Sequence, residues 1–557
     1  MQIKIFSAKD TLLTEGVLDK SFTIEPSVLR KAGGTFTARF SVPIRDIAGY
    51  FHPASTNGPV TKLDWTVWFD GHSSRNFPAL CFYSQSGENR FTIFFDDLVD
   101  DFTCSARMNQ AAASYDIAWQ FACRTFRGNV PTITVRLDTR GGHWTHAFAR
   151  IMRALRPQGL PAFPKDAFKP VYCTWYAAHA WLTNEFLDEN ARLAAELGCG
   201  TFIVDDGWCY DELKRVTPKT IGPWYDDIGD WELSEKKLPD FRSHVRKAQA
   251  LGLRYLLWVA PYFCFKNSRF YKSLPPEKRD IACSYGTFVY DVADKRLNRS
   301  VLGRMRRIVR DLRLDGLKVD FLDIIPGNPD KPIGRHSAEF IRQLAEAIRE
   351  EAGPDALIEF RQRYATPQML DYATQFRAGD APFDYLVNLA RLAAIRVLLG
   401  DGVPIHADPL YWAKDEGDVT VARHMIASLS AVPMLSMDLR ELPEAHRRIV
   451  VHYLDFYRKH LDVFSKGRWE MRFTGSMPSW LSVTRGKTRI VIVVDAFHLG
   501  EAIGGFGGVC HVLNLSDRPI KCREAFDPRG EAVADGLIPC GGRGWVKGLS
   551  IGLERPE

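Results

Sequence analysis

Carboxylates recur in this chain at the ends of short apolar runs, where a strand hands its last side chain to a loop. Asp205-Asp206 follows Thr201-Phe202-Ile203-Val204, Asp320 follows Leu317-Lys318-Val319, and Asp380 stands three residues after Gln375-Phe376-Arg377. Lys318 lies two places before Asp320, on the same face of a strand, and a cation there favours an ionised carboxylate. Arg361 ends Ile358-Glu359-Phe360, and Trp175, Trp231 and Trp258 lie at or after comparable ends. Aromatic faces next to carboxylates suit a neutral, polyhydroxylated ligand: the rings stack on C–H faces and the acids accept hydroxyl donors. Two carboxyls about 5–5.5 Å apart, one ionised and one protonated, are what retaining glycoside cleavage requires. Asp320 and Asp380 are the candidates. By itself Asp320 equally fits a strand-end residue capping the next helix. Nothing in the sequence explains why Asp380, close to Arg377, would hold a proton, unless burial or the charge of Asp320 raises its pKa.

The elements that must position these groups read as a (β/α)8 barrel. From about 165 to 462, apolar runs alternate with amphipathic segments such as Glu185–Leu197, Arg299–Leu312, Ser337–Glu351 and Asp384–Leu399. The runs are Val171–Trp175, Thr201–Asp205, Arg254–Val259, Phe288–Val292, Gly316–Phe321, Leu357–Arg361, Ala373–Arg377, Val403–His406 and Pro433–Met437. These are nine runs for eight places. No helix-length segment separates Phe288–Val292 cleanly from the loop after Val259, so it reads as a loop hairpin, and Asp320 becomes the end of the fourth strand. The carboxyl ends of such strands are where a barrel places its chemistry. Residues 1–162 alternate with period two and read as an N-terminal β domain, 163–462 as the barrel, and 463–557 as a small C-terminal β-sandwich.

Composition narrows the function classes. The 557 residues are 46% hydrophobic and 25% charged, with a net charge of +6 and no Lys/Arg run, which argues against nucleic acid or membrane partners. The N-terminus has no apolar run of signal-peptide length, and the expected compartment is cytoplasmic. The 11 cysteines include no CxxC pair and read as reduced thiols. His406 and Asp408 lack a third ligand and read as a hydrogen-bonded pair, so no metal or other cofactor is expected. The acidic stretch from Asp96 to Asp101 reads as a solvated turn, lacking the oxygen spacing and glycine of a calcium loop. Gly504-Gly505-Phe506-Gly507-Gly508 does not lead from a strand into a helix and reads as a plain loop. Asp323 reads as a loop or cap residue and Asp384 as a helix cap.

Five segments in order on these strands carry a resemblance: Thr174-Trp175-Tyr176, Val204-Asp205-Asp206-Gly207-Trp208, Gly229-Asp230-Trp231, Leu317-Lys318-Val319-Asp320 and Phe376-Arg377-Ala378-Gly379-Asp380-Ala381-Pro382. The chain resembles the retaining α-galactosidases of glycoside hydrolase family 36, the melibiase type, and Ile358–Tyr364 with Pro404–Asp408 resembles their bacterial branch. The resemblance implies that Asp320 is the nucleophile and Asp380 the acid/base, with Asp205 and Asp206 holding the 4- and 6-hydroxyls of a terminal galactose. It implies that Trp175, Trp231, Trp258, Lys318 and Arg377 line that sugar's subsite; Arg361 is a further candidate contact. The chain departs at Ala260-Pro261-Tyr262, where many members have an acid after the proline, and at Cys209, where an aromatic is common.

The expected activity is exo-hydrolysis of α-galactosides on short oligosaccharides. Alternatives are a related sugar (α-N-acetylgalactosamine, β-L-arabinopyranose or α-glucose), a transglycosylase, or a sugar-binding homologue without catalysis. The expected partner is a small oligosaccharide, with a homo-oligomer possible.

Overall fold

The computed structural model describes residues 1–123, 132–211, 227–279, 281–282 and 288–547. Eight parallel strands form the central barrel. They are β1 (Val171–Cys173), β2 (Thr201–Val204), β3 (Arg254–Val259), β4 (Gly316–Val319), β5 (Leu357–Arg361), β6 (Gln375–Arg377), β7 (Ile405–His406) and β8 (Met434–Leu435). Neighbours pair in chain order, β8 pairs with β1, and parallel bridges from His406 to Val432 and from Leu410 to Leu435 close the ring. Asp320 lies immediately after the fourth strand. Phe288–Val289 pairs antiparallel with Ile281–Ala282 outside the barrel, which makes it the loop hairpin its position suggested.

The period of two decides what faces inward. Val171, Cys173, Ile203, Leu256, Leu357, Val432 and Met434 form a small apolar plug inside the barrel, with Trp175 packed against it. Tyr172, Phe202, Tyr255, Leu257, Leu317 and Ile358 point the other way, into the core shared with the helices. Further along each strand the inward positions turn polar. Lys318 stands in register with Glu359, which is in register with Gln375; Arg361 stands in register with Arg377.

Helices between the strands fix this scaffold. Lys295–Leu312 buries Val301, Met305, Ile308, Val309 and Leu312 at helical spacing, starts at the Asp294 cap and stops at Arg313 in a left-handed conformation. Tyr385–Leu399 is capped by Asp384, whose side chain accepts from the Leu386 and Val387 amides, and is buried over most of its length.

Before the barrel, a six-stranded and a five-stranded antiparallel sheet enclose their own apolar core. After it come a seven-stranded sheet, with one parallel pair between Thr488–Val493 and Val509–Asn514, and a two-stranded ribbon. The acidic stretch in the N-terminal sheets is not a solvated turn. Asp101 is buried and accepts from the Asn328, Ile333 and Gly334 amides, while Asp100 pairs with Arg335 at 2.6 Å. These carboxylates satisfy free amides at the start of helix Gly334–Ala352 and dock the N-terminal sheets on the loop after β4. Ser73, Ser74 and His72 add bonds to the Gly334, Leu322 and Ile325 carbonyls. The segment that follows Asp320 is thus held from outside the barrel. The ten described cysteines are free thiols; Cys283 lies outside the described residues. Among the described residues no helix is long and apolar enough to cross a membrane.

Candidate active site

At the carboxyl end of the barrel the inward positions form two polar tiers. In the lower tier Lys318 Nζ lies 2.5 Å from Asp205 Oδ2, and both side chains are buried. The Cys173 thiol also reaches that oxygen, at 3.2 Å, and the other Asp205 oxygen accepts the Asp206 amide. Glu359 pairs with His406 Nδ1 at 2.8 Å, and His406 Nε2 meets the Ala167 carbonyl. The close partner of Lys318 is Asp205, over the intervening strand β3, and Lys318 favours the ionised Asp320 only from a longer range. His406 and Asp408 do not pair with each other.

Asp320 and Asp380 meet in the upper tier. Arg361 donates to both, from Nη1 to Asp320 at 3.2 Å and from Nη2 to Asp380 at 2.7 Å. Arg377 also lies between them, 3.9 Å from Asp320 and 3.0 Å from Asp380, and its Nη1 is 2.6 Å from Asp408. One guanidinium thus spans the gap between the two carboxyls. Asp320 also accepts from Trp258 Nε1 at 3.1 Å and from the Phe321 amide at 2.8 Å. Burial opposes its charge, but Arg361 and Arg377, with a smaller effect from Lys318, hold its carboxyl below the usual range.

Asp380 sits at the mouth, its side chain 46% exposed against 6% for Asp320. Enclosure by the site favours its neutral form, yet Arg361 and Arg377 outweigh this and hold it well below the usual carboxylate range. Neither burial nor the charge of Asp320 wins. Asp408 behaves in the opposite way: burial pushes its carboxyl up to about 7, against the pull of Arg377. Asp408 accepts from the Tyr176 hydroxyl at 3.0 Å and the Ala381 amide at 2.6 Å, which pins the Asp380 loop from one side. Gln362 pins it from the other, accepting from the Gly379 amide and donating to the Thr56 carbonyl of the N-terminal region. Sequence reasoning missed these supports. Asp408 was legible as an inward position two residues past His406, whereas Gln362 and Tyr176 carried no such signal.

The aromatic candidates lie along one wall. Trp231 packs between Trp208 and Trp258, with ring centroids 6.3 and 5.9 Å away, and the Trp208 indole donates to the Trp258 carbonyl. Trp175 packs against the apolar plug inside the barrel and meets His179 edge-on at 4.8 Å. Asp206 is buried and accepts the Gly207 amide at 2.7 Å. Gly207 is required there: its φ is +108°, and a Cβ would come within 2.5 Å of the Ala180 backbone. Backbone strain gathers at this end of the barrel, because His179, Trp231, Phe321 and Phe383 all have left-handed φ without being glycine. A cleft of about 380 Å³ opens beside Asp380 and Arg361, with Thr56 and Arg75 of the N-terminal region on its far side. Among the described residues no group of three or more His, Cys, Asp or Glu is arranged to hold a metal ion.

Residues 147–337 match the family model described as Melibiase. The α-galactosidase AgaA of Geobacillus stearothermophilus is 28% identical over 181 residues, 32% of this chain and 23% of that protein. The α-galactosidase Mel36A of Lactobacillus acidophilus is 26% identical over 166 residues, 28% of this chain and 21% of that protein. The matched segment therefore spans less than a quarter of these curated relatives. A crystal structure of a family 36 AgaA variant in complex with raffinose has a TM-score of 0.64 at 13% identity, covering 98% of this chain and 88% of that one. TtGalA of Thermus thermophilus, in complex with p-nitrophenyl α-D-galactopyranoside, has a TM-score of 0.55 at 15% identity, covering 86% and 95%. Residues 147–337 are thus similar to the melibiase family model, and the fold of the chain is that of the family 36 structures it matches.

Proposed function

We propose that this protein is a retaining, exo-acting α-galactosidase that releases terminal α-galactose from oligosaccharides by double displacement. The observation that supports it most directly is the pair Asp320 and Asp380, both bound by Arg361 and Arg377 where the barrel strands end. Asp320 is ionised and oriented by the Trp258 indole, as a nucleophile must be. Its oxygen attacks the anomeric carbon while Asp380 protonates the departing oxygen. Water then enters, Asp380 takes its proton, and the Asp320 ester is cleaved with net retention. In the free protein Asp380 is ionised, so its proton must be loaded when substrate displaces a guanidinium. Asp205 and Asp206 would take hydroxyls of the terminal sugar, with Trp231, Trp258 and Trp175 on its faces.

Relatives with this name, and neighbours whose structures hold raffinose or an aryl α-galactoside, support galactose over other sugars. The test is hydrolysis of a panel of aryl α-glycosides by the wild type, Asp320→Ala and Asp380→Ala. Cleavage of the galactoside, loss of activity in Asp320→Ala and its rescue by azide with inverted product are expected. A wild type that cleaves no member of the panel overturns the reading.

A further inference from the structure

The cleft beside Asp380 is lined by four guanidiniums, Arg75, Arg361, Arg363 and Arg391, and by two carboxylates, Asp323 and Asp380. The positive groups are not all balanced. Arg75 is satisfied by Asp70 at 2.8 Å and by the Asp323 carbonyl at 2.7 Å. Arg361 is shared between Asp320 and Asp380. Arg391, half-buried, donates to the neutral Asn57 side chain at 2.8 Å and to the Asp380 carbonyl, and among the described residues no carboxylate lies within 4.0 Å of it. Burial lowers its pKa, so its charge is held at a cost. Arg363 is 41% exposed and its nearest carboxylate, Asp323, is 3.9 Å away. Burial also pushes the Asp323 carboxyl up, which weakens that pairing further.

Guanidiniums so placed match the planar oxygens of a carboxylate or phosphate. They stand on the Asp380 side, where the proposed mechanism puts the departing group, rather than over Asp205 and Asp206. We propose that this cleft is a leaving-group subsite for an oxyanion: the preferred substrates are α-galactosides whose aglycone carries a carboxylate, phosphate or sulfate, held by Arg363 and Arg391. The inference rests on the galactosidase reading and names its substrate class. An oxyanion in the cleft also competes with Asp380 for Arg361, and so returns Asp380 to a state that accepts the proton it must donate.

The test compares a matched pair, α-galactosylglycerol and α-galactosylglycerate, which differ by one carboxylate. The glycerate is expected to have a kcat/KM about 10- to 100-fold higher at low salt, the discrimination that a charge-assisted hydrogen bond supplies. Arg363→Gln and Arg391→Gln are each expected to reduce that ratio several-fold, whatever they do to the absolute rate, and Arg363→Lys to restore part of it. Inorganic phosphate added to the galactosylglycerol reaction separates the sources. Competition between phosphate and the glycerate supports an anion attached to substrate, whereas acceleration of the neutral compound assigns the site to a free anion. Hydrolysis of both compounds with equal kcat/KM overturns the oxyanion subsite and leaves the galactosidase reading standing. Hydrolysis of neither, with the aryl α-galactoside also uncleaved, overturns the galactosidase reading. Calorimetric titration of the same pair into the wild type then decides the subsite alone, and equal affinities overturn it.

Discussion

Replacing Arg361 by glutamine tests the electrostatic logic of the site directly. The guanidinium lies 2.7 Å from Asp380 and 3.2 Å from Asp320, and an uncharged amide keeps much of its shape while removing the charge. A hydrogen bond to a charged group contributes about 1.5–3 kcal/mol. Asp380 is 46% exposed, and solvent screens the contact, so the low end applies. That corresponds to about one pH unit, since a unit of pKa is about 1.4 kcal/mol. In the proposed mechanism Asp380 acts in its protonated form, and its depressed pKa means that this form is lost as pH rises through a low value. Without Arg361 the loss occurs at higher pH. As the proposed nucleophile Asp320 acts ionised, and it too is held below its usual range first by Arg361, so its protonation also moves upward. Both limbs of the kcat/KM profile of a simple aryl α-galactoside should therefore shift to higher pH, the alkaline limb by about one unit. Unmoved limbs, or an alkaline limb that moves down, would refute the account of Asp380 as a proton donor restrained by Arg361.

Lys318→Met leaves Asp205 buried without its cation, and the expected loss is about 3–5 kcal/mol in urea denaturation; a loss under about 1 kcal/mol would show that this pair does not hold the barrel interior together. His52→Phe should flatten the acid side of the stability curve. His52 is buried between Tyr50 and Phe69, and burial lowers its pKa from 6.5 to about 3. The unfolded chain protonates first, so the stability present above 6.5 drains as pH falls towards 3 in the wild type and should drain less in the variant. A variant that loses stability as steeply as the wild type over that window would locate the acid sensitivity elsewhere. Gly207→Ala forces a Cβ to 2.5 Å from the Ala180 backbone at φ +108° and should lower thermal stability by more than the roughly 1 kcal/mol of an ordinary substitution; an unchanged Tm would show that the turn after Asp205-Asp206 can relax.

The alternation of side chains determined a good deal of this protein before any contact was known. A run of one residue in, one residue out is enough to put Asp205, Lys318, Asp320, Glu359, Arg361 and Arg377 on the inner face of their strands, and the repeat of strand and helix is enough to bend those strands into a barrel. The helix starting after Asp384 was legible from local signals as well, a capping residue followed by a long apolar run of helix formers, although it is buried nearly all round and not amphipathic. Tertiary structure decided which inner side chain meets which. Lys318 and Asp320 share a face, but residues two apart on a strand are separated by about 6–7 Å along it, whereas Lys318 and Asp205 meet over the intervening strand β3 at 2.5 Å. The reach of Arg361 over both carboxyls, the hold of Asp408 on the Asp380 loop, and the docking of Asp100 and Asp101 against the loop after β4 depend on ring closure and on packing between distant segments. Arg75 and Thr56 lie roughly 300 residues before the cleft residues they face, and no local pattern carries that distance.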